Sequence, residues 1–106
     1  MAPMDSLRII FTQQLQLPPA AVEWLLMLFE ATQLFDDVAD RDLIKRCDLD
    51  AVLWATLIAM PANSFYQAHQ TELGALLANY ILKWQASDAA ERRKQHNQVS
   101  FVWRAG

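Results

Sequence analysis

The scarcity of glycine most constrains what this chain can fold into, because only Gly74 and Gly106 occur in 106 residues. Small sheet proteins need many tight turns, and tight turns need glycine. Hydrophobic residues make up 54% of the chain and charged residues 20%, a balance that excludes a disordered chain. The sequence therefore predicts an all-α fold, a single helical bundle of four to five helices spanning residues 1–106.

Proline and polar residues mark the predicted helix ends. Pro18 and Pro19 are tolerated in a first helical turn, so they end one helix and begin the next. Aspartate side chains cap helix N-termini, and Pro61 cannot continue a helix. The predicted helices cover residues 4–16, 19–40, 48 or 50 to 60, and 63 or 64 to 85 or beyond.

The single cysteine, Cys47, excludes an intramolecular disulfide and a multi-cysteine zinc site. The N-terminal segment lacks the basic and apolar regions of a secretory signal, and no apolar run is long enough to span a bilayer. A net charge of −3 and a pI near 5.2 are unfavourable for general nucleic-acid binding. These features predict a cytoplasmic protein without a membrane span and without a nucleic-acid partner.

The second predicted helix changes character along its length. Its N-terminal half is apolar nearly all round, which is typical of a central, buried helix. Its C-terminal half carries Asp36, Asp37 and Asp40, and the side chains at 36 and 40 are i,i+4 neighbours. Two interpretations stay open: a site for a hard cation such as Mg²⁺, or a solvated acidic helix end. The predicted apolar stripe comprises Trp24, Met27, Leu28, Ala31, Phe35 and Val38.

The segment DDVADRDLIKR resembles the DDxxD motif of trans-isoprenyl diphosphate synthases, in which a basic pair follows at the places of Lys45 and Arg46. That resemblance implies an all-helical fold like part of an isoprenoid synthase. It implies Mg²⁺ held by Asp36 and Asp40 with Asp37 as an auxiliary member. It also implies a diphosphate contacted by Lys45 and Arg46.

The resemblance covers about residues 25–46, and the rest of the chain departs from the family. Cys47 stands where a glycine usually follows the basic pair, and residues 51–106 hold only three acids, so a second aspartate-rich motif is missing. The sequence therefore predicts binding of Mg²⁺, and of a diphosphate, without turnover by the isolated chain. The alternative is a non-catalytic helical oligomerisation or interaction module, for example a small phage-type protein, with surface carboxylates.

Several other residues carry weaker signals. His69 and Glu72 stand three residues apart on the predicted fourth helix, as a metal-ligand pair or general base or, as we prefer, as a partly buried histidine paired with its neighbour. Cys47 is interpreted as a buried or inert thiol. A chain of this size leaves part of its apolar surface exposed, and exposed apolar patches mark interfaces. The predicted interface, with a second copy or with a missing C-terminal half of a longer chain, comprises Trp84, Phe101 and Trp103.

Overall fold

The computed structural model describes the backbone of residues 3–105 and the side chains of residues 5–94. Within that range it contains five helices and no strand, which confirms the all-α prediction. Helix α1 joins Pro3–Ile9 to a π-helical turn, Ile10–Gln14, and α2 is Pro19–Ala39. Helix α3 covers 46–62 as Arg46–Trp54, a π-helical turn Ala55–Ala59, and Met60–Ala62. Helices α4 and α5 are Ser64–Ala68 and Gln70–Ala105.

The contacts divide the chain into two compact units, Met1–Gln70 and Thr71–Gly106. The first unit contains α1 to α4, and within it α2 contacts α1, α3 and α4. The second unit is α5 beyond its first residue. Helix α2 is therefore the central element of the first unit, as the apolar character of its N-terminal half predicts.

The two ends of α2 show how local sequence sets a helix boundary. Pro18 is the N-cap and Pro19 the first helical residue, and the Pro18 carbonyl accepts a 3.1 Å hydrogen bond from the Val22 amide. At the other end Arg41 adopts a left-handed conformation with φ of 61°. The Arg41 amide donates to Val38 at 3.1 Å and the Asp42 amide to Asp37 at 2.8 Å. These two bonds form a Schellman motif, which reverses the chain after the helix.

Helix α3 begins earlier than predicted. Its first residue is Arg46, and the preceding Lys45 supplies no side-chain cap, so the prediction of a cap at Asp48 or Asp50 is wrong. Asp48 lies instead in the first turn, where its carboxylate faces the positive end of the helix dipole. Near the other end Pro61 lies inside the last turn, directly after the π-helical turn. The wider backbone of a π turn relieves the clash that proline makes with the preceding turn.

The predicted fourth helix is two helices. The backbone leaves helical geometry at His69, with φ of −124° and ψ of 30°, so α4 ends there and α5 starts at Gln70. The Asn63 side chain caps α4 by accepting a 3.0 Å hydrogen bond from the Tyr66 amide. The ring of Tyr66 stacks on Trp24 of α2 at a centroid separation of 5.7 Å. Because these contacts hold α4 to α2, its direction is set by packing and not by its own sequence.

The core of the first unit forms where α2 meets its neighbours. Trp24 is 3% exposed, and its indole Nε1 has no hydrogen-bond acceptor among the described residues. The predicted stripe is wrong at Phe35 and Val38, which are 48% and 56% exposed, because in the last turns of α2 the core forms on the side of Leu34, which is 6% exposed. The buried apolar residues are Ala21, Val22, Trp24, Leu26, Ala31, Leu34, Val52, Ala55 and Met60.

Candidate functional site

The aspartate-rich segment lies at the C-terminal end of α2. Asp36 and Asp37 are half-buried, and Asp40 is the exposed C-cap residue, whose amide donates to the Asp36 carbonyl at 2.9 Å. The last turn of α2 contains no basic residue. Three carboxylates therefore face the negative end of a helix dipole, at a cost of about 0.3–1 kcal/mol each.

The predicted diphosphate contacts lie at the start of α3. Lys45 is the exposed N-cap residue and Arg46 the first helical residue. The Arg46 Nε donates to Asp50 Oδ1 at 3.2 Å, one turn further along the same helix. The structure therefore gives Arg46 a carboxylate partner within α3, and the predicted role of this basic pair toward a diphosphate stays a prediction.

The predicted magnesium site depends on carboxylates that converge. Among the residues whose placement the structure describes, no group of three or more His, Cys, Asp or Glu side chains is arranged to hold a metal ion. Asp36, Asp37 and Asp40 as placed do not form such a group. Binding of Mg²⁺ by these residues stays a prediction.

A cleft of about 370 Å³ lies between the second half of α2 and the first half of α3. Its lining includes Ile44, which packs against the core cluster that contains Leu34 and Val52. Asp37 lines this cleft, whereas Asp36 and Asp40 do not. The complete lining is Phe29, Glu30, Gln33, Leu34, Asp37, Leu43, Ile44, Asp48, Ala51 and Val52.

The remaining candidate residues lie apart from this cleft. His69 is exposed, so the prediction that it is partly buried is wrong, and its ring contacts Phe65 at a centroid separation of 4.7 Å. The helix break at His69 separates it from Glu72, so the two do not share one continuous helix as predicted. Cys47 is exposed, with its Sγ 3.9 Å from Asp48 Oδ1.

The outer face of α3 is a surface that the sequence reasoning missed. It consists of five large apolar side chains that are 38% to 67% exposed, whereas Val52, Ala55 and Met60 of the same helix are buried. Leu57 is 67% exposed and Trp54 is 65% exposed. The signal was present in the run AVLWATLIAM, in which every residue except Thr56 is apolar. A helix that is apolar all round is usually buried, yet this side of α3 is exposed. The α3 outer face comprises Leu49, Leu53, Trp54, Leu57 and Ile58.

The predicted interface residues lie in the second unit. Trp84 is half-buried, whereas Leu76 and Leu82 on the same helix are 64% and 62% exposed. Phe101 and Trp103 lie outside the residues whose side chains the structure describes. Their role as an interface therefore stays a prediction.

Comparison with known proteins finds no matching family model, no matching curated protein and no matching solved structure. None of the helices in the described part of the chain combines the length and the apolar character that a membrane crossing requires.

Proposed function

We propose that this chain is a non-catalytic helical interaction module whose docking surface is the α3 outer face. The observation that carries the proposal is the exposure of five large apolar side chains on one side of a single helix. Their exposed fractions run from 38% at Leu49 to 67% at Leu57. The proposal includes the cytoplasmic location expected from the sequence.

The spacing of these residues makes the surface continuous. Leu49, Leu53 and Leu57 follow one another at four-residue intervals, and Trp54 and Ile58 form a parallel row beside them. The opposite side of the helix is anchored in the core through the buried Val52, Ala55 and Met60. Helix α3 is about 25 Å long. Its contacts with the core leave the outer side chains exposed to water.

The size of the surface distinguishes it from scattered surface leucines. Its exposed area is on the order of 500 Å², which is near the upper end for the largest apolar patch of a monomeric protein. Covering it removes apolar area from water at about 25 cal/mol per Å². The resulting contribution of roughly 10 kcal/mol to the free energy of binding is comparable with the entropic cost of bringing two molecules together. Binding at this surface is therefore reversible.

The charge of the surface limits which kind of partner can bind to it. Residues 51–62 contain no charged side chain, and at the start of the helix Arg46 and Asp50 neutralise each other in an ion pair of 3.2 Å. An apolar surface without net charge gains nothing from a nucleic acid or an ionic ligand. Ridges of side chains on a helix pack best into the grooves of another helix. The occupant is therefore an uncharged apolar helix.

Site-specific photo-cross-linking tests this proposal. A benzoylphenylalanine replaces Leu57 in living cells that make the chain, and the matched control replaces Leu15, which is 58% exposed at the end of α1. We expect a strong protein adduct from position 57 that maps, by mass spectrometry, to an uncharged helical segment. An adduct yield at 57 no greater than at 15, or an adduct to nucleic acid or lipid, would overturn the proposal.

A further inference from the structure

We draw no further inference here: the strongest candidate, the cleft between the second half of α2 and the first half of α3, combines apolar residues with the acidic residues Glu30, Asp37 and Asp48, and nothing in the structure shows what ligand or partner occupies it.

Discussion

Asn63 provides the most specific test of how α4 is attached to α2. Its side-chain oxygen accepts a hydrogen bond from the Tyr66 amide at 3.0 Å, and its side-chain nitrogen donates to the Ala20 carbonyl at 3.0 Å. One side chain therefore caps a helix and joins two segments that are 43 residues apart in sequence. Two substitutions separate these functions, because serine retains a capping oxygen and alanine does not.

The magnitudes follow from the two bonds. Loss of an N-cap costs about 1 kcal/mol, and loss of a part-buried hydrogen bond costs about 1 kcal/mol. We therefore expect Asn63→Ser to lower the free energy of unfolding by about 1 kcal/mol and Asn63→Ala by about 2 kcal/mol.

Urea denaturation followed by circular dichroism at 222 nm measures both values. A suitable control is Asn79→Ala, since Asn79 is exposed in the interior of α5 and caps no helix. Equal losses for serine and alanine would refute the cap, and an Asn63→Ser variant as stable as the original chain would refute the bond to Ala20.

Three further predictions concern single sites in the first unit. Arg41→Gly is expected to be more stable than Arg41→Ala by about 0.5–1 kcal/mol in urea denaturation, because glycine adopts the left-handed conformation with the least strain. Equal stabilities of the two variants would contradict the Schellman motif. Trp24→Phe is expected to lower the free energy of unfolding by no more than about 1 kcal/mol, because the substitution also removes a buried N–H donor that has no acceptor. A loss above about 3 kcal/mol would show that the indole N–H is satisfied. Asp36→Asn with Asp40→Asn is expected to abolish any stabilisation of the chain by Mg²⁺, because it removes two carboxylates of the predicted site. If these residues bind Mg²⁺, millimolar Mg²⁺ stabilises the original chain and not this variant, and a melting temperature that does not respond to Mg²⁺ would contradict the metal prediction.

Local sequence predicted the helical class and several helix ends. The pair Pro18 and Pro19 determined where α2 starts, because a proline with its fixed φ and missing amide suits a first helical turn. The start of α3 was not predictable in the same way, since Lys45 and Arg46 carry no capping signal. The helix break at His69 was also hidden, because neither glycine nor proline marks it.

The candidate site could be predicted only in part. The sequence placed the aspartates at the end of α2, and in the structure Asp36 and Asp37 lie in its last turn with Asp40 as the C-cap residue. In the structure Asp37 and Asp48 line the cleft, whereas Asp36 and Asp40 do not. The sequence could not show this difference. That grouping depends on the angle at which α3 packs on α2 after the turn at Arg41, and no local pattern specifies that angle.

The sequence by itself determined that this chain is helical and that the first half of α2 is buried. Those properties follow from periodicity, proline placement and the scarcity of glycine, all of which act within a few residues. Only the tertiary structure decided which side of α3 meets the core and which side, with Trp54 and Leu57, faces water. The residues of α3 from 51 to 60 are almost uniformly apolar, so the pattern contains no preferred face. Which side of α3 is buried depends on which neighbouring helix packs against it, and in the first unit α2 covers only one side.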